Sequence, residues 1–259
     1  MAGKMKIYIF ADLEGICGIA GSEYINGRFA AAGSNLMVED INTVIDACFD
    51  SGVSGVIVRD GHGSGFNFPV SALNPRAELV QGATGSVRFL GIEDADAMIL
   101  LGYHAMAGTP GAILSHTYSS TTIASLSLNG ETIGEAGLDA RIAGEYNVPV
   151  IMISGDDKTC LEAEKWVPQA LRCQVKTGCS RQSGHMPPLR EARAALRDCV
   201  RKAVCLFRAG KIPPIKPEYP ITLRWEVIPP AKSPESGFRV ISETVFERTG
   251  NNLEKVFLG

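Results

Sequence analysis

Residues Lys6–Glu14 read KIYIFADLE, a short apolar run that stops at two carboxylates. The first part of this run, Lys6–Ala11, has the length and composition of a buried β-strand. Asp12 and Glu14 are two positions apart, so they lie on one face if the extended conformation continues. We therefore predict a buried strand that delivers two carboxylates at its carboxyl end.

The same arrangement, an apolar run followed by a polar side chain, recurs twice further along the chain. Val53–Val58 is rich in β-branched residues and leads to His62, and Ala97–Leu101 leads to His104. In open parallel sheets, ligands bind beyond the carboxyl ends of the strands. We therefore expect the two histidines to meet the carboxylates of the first strand in a single cleft.

Helical patterns alternate with apolar runs along the chain. Apolar residues recur at helical spacing within Leu36–Cys48, with Ser34 as the predicted N-cap and Gly52 as the predicted stop. A second helix is predicted over Glu135–Asn147. Short buried strands that alternate with helices predict an α/β fold with a mostly parallel sheet flanked by helices.

The last third of the chain has a different pattern. A long amphipathic helix is predicted over Pro187–Arg208, and two extended segments follow, Ile221–Val227 and Arg239–Phe246, with a Pro- and Ser-rich loop between them. We therefore predict a metal-binding α/β domain over residues 1–155. A smaller C-terminal α/β lobe is predicted over residues 156–259, and it can pack with the first domain as one unit.

Composition excludes several classes of protein. Hydrophobic residues make up 45% of the chain and charged residues 20%, which supports a sizeable core and rules out global disorder. The net charge of -3 argues against a nucleic-acid-binding protein, because such proteins usually carry a basic face. The chain has no apolar run of roughly 18 residues and no signal-peptide pattern at its N-terminus. We therefore expect a cytoplasmic protein that binds neither nucleic acid nor membrane.

Five residues at strand ends or at a helix start have side chains that bind metal ions: Asp12, Glu14, His62, His104 and Glu135. Carboxylates and imidazoles without a thiolate suit Zn²⁺, Mn²⁺ or Co²⁺ in a reactive site, rather than a closed structural zinc site. Five ligands exceed the need of one tetrahedral ion, so they favour two ions, about 3.5–4 Å apart, that share a carboxylate. The alternative is that each histidine is an ordinary polar or core residue.

Three further polar residues carry separate interpretations. His116 follows a turn-rich loop after the strand of His104, where it could move a proton or stabilise a charged intermediate; the alternative is a solvated loop residue. His185 is expected at the surface. Asp156 is interpreted as a helix N-cap, and the alternative is that it supports the metal ligands from behind. No Walker A, G-x-G-x-x-G or G-x-S-x-G motif supports a nucleotide site or a serine hydrolase.

Short motifs follow one another in a fixed order over about residues 6–185: Asp12-Leu13-Glu14-Gly15-Ile16, Asp60-Gly61-His62, Leu101-Gly102-Tyr103-His104-Ala105, Thr109-Pro110-Gly111, Ser115-His116, Asn129-Gly130, Gly134-Glu135-Ala136-Gly137-Leu138 and Gly155-Asp156-Asp157. Together they resemble the DppA-type D-aminopeptidases, a family of binuclear zinc peptidases. Linked motifs in a conserved order are more specific than any one of them alone.

The resemblance implies roles only at matching positions. The residues that match the family's metal ligands are Asp12, Glu14, His62, His104 and Glu135. Asp12 matches the bridge, and His116 matches an active-site histidine for which a nucleophilic role has been proposed. Because a metal-activated water is already a good nucleophile, we expect His116 to transfer a proton or stabilise charge instead. Phe29–Ser34 departs from the family, in which we would expect a more charged segment.

These observations predict a metal-dependent aminopeptidase that hydrolyses short peptides with N-terminal D-amino acids through a metal-activated water. The predicted cofactors are two divalent metal ions per subunit, with zinc preferred. The predicted partners are a small peptide substrate and further copies of the chain, because the resemblance implies a ring-shaped homodecamer. Two alternatives remain open: a dinuclear hydrolase of another amide or a phosphoester bond, and a non-catalytic metal-binding oligomer.

Overall fold

The structure, a computed structural model, describes residues 4–231 and 237–259. In chain order its elements are β1 (Lys6–Ala11), α1 (Ala30–Asp50), β2 (Gly55–Asp60), β3 (Glu78–Val80), β4 (Ala97–Leu101), β5 (Ile123–Leu128), β6 (Glu131–Thr132), α2 (Glu135–Glu145), β7 (Val150–Asp156), α3 (Asp157–Trp166), β8 (Leu171–Ser180), β9 (Ser183–His185), α4 (Leu189–Arg208), β10 (Ile221–Val227), β11 (Arg239–Val240), β12 (Val245–Gly250) and α5 (Leu253–Leu258). None of the helices in these ranges combines the length and apolar character that crossing a bilayer requires.

The larger sheet has seven strands in the order β3-β2-β1-β4-β7-β8-β9. Its neighbouring strands are parallel except for β8 and β9, which confirms the predicted mostly parallel sheet. The chain places β2 on one side of β1 and β4 on the other, so the strand order reverses between β1 and β4. Ligands of open parallel sheets bind at such a switch point. The topology therefore marks the carboxyl ends of β1 and β4 as the place for a site.

Alternate side chains of β1 enter two different layers of the core. Ile7 and Ile9 pack in the layer that contains α1 and α4, whereas Tyr8 and Phe10 pack in the layer that contains α2 and the second sheet. All four side chains are buried, because successive residues of a strand point to opposite faces. Burial on both faces explains why this strand is apolar at every one of these positions.

The second sheet is antiparallel and has the strand order β11-β12-β10-β5-β6. Asn129 and Gly130 have positive φ angles of 50° and 89° and close the tight turn between β5 and β6. Both sheets take strands from each side of residue 156. The division into residues 1–155 and 156–259 stays a prediction, and the shared sheets are consistent with two parts packed as one unit.

The first helix begins earlier than the sequence pattern predicts. α1 starts at Ala30, so Ser34 lies inside the helix and is not its N-cap. A run of alanines, the best helix-forming residue, allows the helix to extend by one turn beyond its apolar stripe. At the other end, Gly52 adopts a positive φ of 77° just after the helix, which confirms the predicted stop.

The segment Arg239–Phe246 forms two short strands, although the sequence predicts one extended segment. β11 ends at Val240, and the chain reverses so that Ile241 N donates a hydrogen bond to Val245 O at 2.9 Å. Val240 then pairs with Phe246 in antiparallel register. The Pro- and Ser-rich loop predicted before this segment lies partly outside the described residues.

Candidate active site

The carboxyl ends of β1 and β4 are joined by backbone hydrogen bonds beyond the strands themselves. Asp12 N donates to Leu101 O at 2.8 Å, and Gly15 N donates to Gly102 O at 2.7 Å. A Cβ atom at Gly15 would lie 1.9 Å from Tyr103 O, so only glycine permits this close approach. The contact fixes the backbone that carries the two carboxylates after β1.

His62 is positioned by the loop that follows β2. Asp60, the last residue of β2, is fully buried and accepts hydrogen bonds from Asn67 N at 2.7 Å and from Asn67 Nδ2 at 2.6 Å. Asn67 Nδ2 also donates to His62 O at 2.8 Å. These hydrogen bonds hold the loop against the buried carboxylate of Asp60. The loop in turn places the His62 ring at the end of β1.

The six side chains singled out by the sequence all lie in one place, in two groups of three. Within each group, the possible ligand atoms lie within 4.8 Å of one another. The first group contains Asp12, Glu14 and His62, and the second contains His104, His116 and Glu135. The site combines loops after three parallel strands with the first turn of α2.

Asp12 connects the two groups. Its Oδ1 lies 3.1 Å from His62 Nδ1, and its Oδ2 lies 3.4 Å from His104 Nε2. Glu14 Oε2 lies 3.0 Å from His62 Nδ1, and Glu135 Oε1 lies 3.2 Å from His104 Nε2. A carboxylate that faces two ligand groups with different oxygens has the geometry of a bridging ligand.

Burial and opposite charges act against each other in this cluster. Burial alone would lower the pKa of His62, but the neighbouring carboxylates of Asp12 and Glu14 raise that pKa to about 11. Burial has the same effect on His104, whose pKa the charge of Glu135 nevertheless raises to about 10. Burial would raise the pKa of Asp12 and of Glu135, whereas the neighbouring imidazoles lower both. A divalent cation takes the place of the imidazole protons when it binds such a cluster.

His116 lies against His104, with ring centroids 3.9 Å apart and an angle of 11° between the ring planes. Its Nδ1 lies 2.8 Å from Leu114 O. A hydrogen bond from Nδ1–H to that carbonyl leaves Nε2 as the basic nitrogen of the ring. The stacked position favours a role in the site over the alternative of a solvated loop residue.

Two other sequence interpretations concern residues outside the cluster. His185 is exposed in β9, as expected of a surface residue. Asp156 is the N-cap of α3, because its Oδ1 accepts a hydrogen bond from Thr159 N at 2.8 Å. Its Oδ2 accepts a second one from Ile113 N at 2.8 Å. The cap therefore also anchors the loop that leads to His116.

A protein-family model described as D-aminopeptidase (peptidase M55) matches residues 5–242 of this sequence. The chain belongs to the D-aminopeptidase family. This membership confirms the family resemblance that the motifs indicated, and with it the predicted enzyme class, an aminopeptidase.

Two similar proteins agree with the assignment. The D-aminopeptidase of Bacillus subtilis (strain 168) is 34% identical over 217 residues, which cover 82% of this chain and 78% of that protein. A solved structure, described as Zn-dependent D-aminopeptidase DppA from Bacillus subtilis, a self-compartmentalizing protease, matches with a TM-score of 0.89. The match has 27% sequence identity and covers 98% of this chain and 94% of that one. This D-aminopeptidase family member therefore shares its fold over almost its whole length with a solved relative.

Sequence reasoning misses one buried residue that supports the site of this family member. Lys176 is 2% exposed, and its Nζ donates to Glu14 O at 2.6 Å, Ile16 O at 3.0 Å and Ile19 O at 2.7 Å. Burial lowers the pKa of Lys176 to about 8. The ammonium group therefore holds the loop that carries the Glu14 side chain. In the sequence, nothing distinguishes this lysine from the surface lysines.

The ligand cluster opens into a cavity of about 190 Å³. Its wall also includes Gly61, Gly63, Arg88 and Tyr118. Tyr118 N donates to Glu135 Oε1 at 2.6 Å and so fixes that carboxylate. Pockets for drug-sized ligands measure about 300–1,000 Å³, so this aminopeptidase cavity suits a smaller molecule.

Glu162, on α3, is a buried carboxylate close to the site. Its Oε2 accepts a hydrogen bond from Met106 N at 2.7 Å, whereas its Oε1 has no hydrogen-bond partner among the described residues. Burial raises the pKa of Glu162 to about 7. Between the unfolded pKa and this value the folded state binds more protons, so this group makes the protein less stable as the pH rises.

Glu162→Gln is therefore expected to stabilise the metal-free protein at about pH 8 and not at about pH 5. Removing the ionised buried carboxylate should gain roughly 1–3 kcal/mol at the higher pH, since one pKa unit corresponds to about 1.4 kcal/mol. Thermal unfolding at the two pH values measures the effect. Glu164→Gln is the matched control, because Glu164 is exposed on the same helix. An equal change in Tm at both pH values would contradict the prediction.

Proposed function

We propose that this chain is a zinc-dependent aminopeptidase that removes the N-terminal D-amino acid from short peptides. The observation that carries the proposal is the position of Asp12, whose two oxygens face His62 and His104 in separate ligand groups. The Bacillus subtilis relatives support the substrate and the metal, since one is named D-aminopeptidase and the other is described as Zn-dependent.

The side chains present fit a pair of divalent ions. Asp12, Glu14 and His62 would hold one ion, and His104 and Glu135 would hold the other with the second oxygen of Asp12. Glu14 Oε2 is buried and accepts no hydrogen bond of suitable geometry among the described residues. A buried carboxylate oxygen needs a partner, and a cation at this place would provide one. Oxygen and nitrogen donors without thiolates suit zinc in a reactive site.

The ions, when bound, would polarise the scissile carbonyl and lower the pKa of the attacking water. The contribution of the chain itself is proton transfer at His116 Nε2. Because Nδ1 is hydrogen-bonded to Leu114 O, Nε2 is free to accept a proton from the attacking water and to pass that proton to the departing amine. Between these two steps the protonated ring can stabilise the charge that develops at the carbonyl oxygen. Stacking on His104 keeps the His116 ring in place.

The cavity also accounts for the requirement of a free N-terminus. Glu135 lines it and faces His104 with Oε1, so its Oε2 can accept a charge-assisted hydrogen bond from the protonated α-amino group of a peptide. A peptide bond in the middle of a chain has no protonated amino group next to it. A carboxylate beside the reacting carbonyl therefore favours hydrolysis at the first residue.

Metal analysis combined with paired substrates tests the proposed function. The purified protein should contain about two zinc ions per chain and lose its activity when a chelator removes them. D-Ala-Gly should be hydrolysed faster than L-Ala-Gly, and both faster than a phosphoester. A zinc-loaded protein that hydrolyses only phosphoesters, or neither dipeptide, would contradict the proposal.

We also propose that the chain acts as a cytoplasmic homo-oligomer. The support is the description of the solved relative as a self-compartmentalizing protease, and the specific expectation from the family resemblance is a homodecamer. Size-exclusion chromatography with light scattering should then give a mass near ten times 27.6 kDa. A monomeric mass would contradict this assembly without affecting the proposed reaction.

Lys176→Met is expected to weaken zinc binding by loosening the Glu14 loop. The substitution leaves the buried carbonyls of Glu14 and Ile19 without a donor, at a cost of about 1–3 kcal/mol each, partly offset because a buried charge is also removed. Ile16 O keeps the hydrogen bond from Ile19 N. Apparent zinc affinity should fall by about 10–100-fold, the range for residues that orient metal ligands. Competition with a chromogenic chelator measures the affinity, and thermal unfolding measures the loss of stability.

Lys165→Met is the matched control for this substitution. Lys165 is exposed and pairs with Glu131 at the surface, so its loss should change neither Tm nor zinc affinity. Wild-type zinc affinity in Lys176→Met would show that the loop keeps its shape without the buried ammonium group.

A further inference from the structure

Arg88 lines the cavity of the candidate site without being one of the six predicted site residues. Its Nε donates to Asp139 Oδ1 at 3.0 Å, and its Nη2 donates to Asp139 Oδ2 at 2.8 Å. The Arg88 side chain retains 17% exposure, whereas Asp139 is completely buried. One edge of the guanidinium group is therefore fixed in the protein interior, and the remainder reaches the cavity.

The surroundings of this ion pair hold the guanidinium group in one orientation. Asp139 also accepts hydrogen bonds from Tyr103 OH at 2.7 Å and from Tyr118 OH at 3.2 Å. The Arg88 Cζ atom lies 4.6 Å from the centroid of the Phe10 ring and 5.1 Å from that of Tyr118. Two aromatic faces and a bidentate carboxylate leave the group little freedom.

The cavity side of the guanidinium group has unused donors. An arginine side chain carries five N–H donors, and Asp139 accepts from Nε and Nη2 only. Arg88 Nη1 donates to no other residue in the ranges 4–231 and 237–259. A fixed, charged fork with free N–H groups on the wall of a small cavity is suited to an anion with planar oxygens, above all a carboxylate.

The cavity that Arg88 shares with the ligand cluster indicates which carboxylate it is. Arg88 and Glu135 both line this cavity, which measures about 190 Å³, below the roughly 300–1,000 Å³ of pockets for drug-sized ligands. A short peptide whose first residue lies at the ligand cluster therefore carries its terminal carboxylate into the same small cavity.

We propose that Arg88 is a specificity-determining residue that binds the terminal carboxylate of a short peptide substrate, so that the enzyme selects short peptides with a free C-terminus. The proposal rests on the proposed aminopeptidase function. It adds a positively charged recognition group to a cavity that the carboxylates of Asp12 and Glu135 also line.

A pair of substrates that differ only in the terminal carboxylate tests the proposal. Zinc-loaded wild-type protein should have a kcat/KM for D-Ala-Gly about 10–100-fold higher than for D-Ala-glycinamide, the range for a hydrogen bond to a charged group. In Arg88→Met this ratio should fall to near one. Because Asp139 would then be buried without its partner, the double variant Arg88→Met/Asp139→Asn provides the same measurement without an unpaired charge.

Arg76→Met is the matched control, because Arg76 also pairs with an aspartate, Asp46, and lies over the ring of Phe49, outside the cavity. It should keep the wild-type ratio. A wild-type ratio near one, or an unchanged ratio in both Arg88 variants, would overturn the assignment of Arg88 alone. Failure of zinc-loaded wild-type protein to hydrolyse either substrate would instead overturn the proposed function.

Discussion

Asp12→Ala is expected to abolish activity and to remove most of the bound metal. Its two carboxylate oxygens face different ligand groups, so the substitution removes a ligand from both proposed ions at once. Lewis-acid stabilisation by the ions lowers the activation barrier by several kcal/mol, so their loss should reduce kcat/KM by more than about 10³-fold. Elemental analysis of the purified variant should give a zinc content near zero.

Glu14→Ala is the comparison that separates a bridging ligand from a terminal one. Glu14 Oε2 lies close to His62 in the first group only, so this variant should keep part of its metal. Thermal unfolding of both variants in the presence of a chelator shows whether each still folds. Full zinc occupancy in Asp12→Ala would refute the bridging assignment.

His116→Ala is expected to keep its fold and metal while losing most of its turnover. The loss in kcat should be on the order of 10²–10⁴-fold, the range for one proton-transferring or charge-stabilising group. KM should change little if the contact strengthens mainly in the transition state. Steady-state kinetics on the metal-loaded variant, together with elemental analysis, provide both measurements.

The metal content of this variant distinguishes the roles that are open to His116. A ring nitrogen of His116 lies within 4.8 Å of possible ligand atoms of His104 and Glu135. Loss of one ion in His116→Ala would therefore show that His116 is a metal ligand. A covalent adduct trapped on wild-type His116 would make it the nucleophile. Near-wild-type turnover in His116→Ala would show that His116 takes no part in the reaction.

The central strands and the positions of the six site residues could be predicted because each follows from a local pattern. β1 and β4 are short apolar runs, and the residues after them are those whose side chains a parallel sheet presents at its carboxyl edge. The expectation that Asp12, His62 and His104 would meet needed only this rule. The structure brings them together, while their roles as ligands remain a proposal.

Residues that act through long-range contacts could not be found in the same way. Lys176 contacts carbonyls about 160 positions earlier in the chain, and Arg88 depends on an aspartate 51 positions later. Neither residue stands at the end of an apolar run. A lysine in a strand and an arginine in a loop look like surface residues until the fold shows what surrounds them.

The buried ammonium group of Lys176 also bears on how the site acquires its ions. Because this group and the backbone contacts after β1 hold the Glu14 loop through the fold itself, the conformational entropy of ordering that loop is lost during folding and not during metal uptake. A preorganised site needs little rearrangement to bind its ligand. The rate of uptake is then set by how fast the ion sheds water and the cluster sheds protons, and a chain that has lost its zinc keeps a site ready to be refilled.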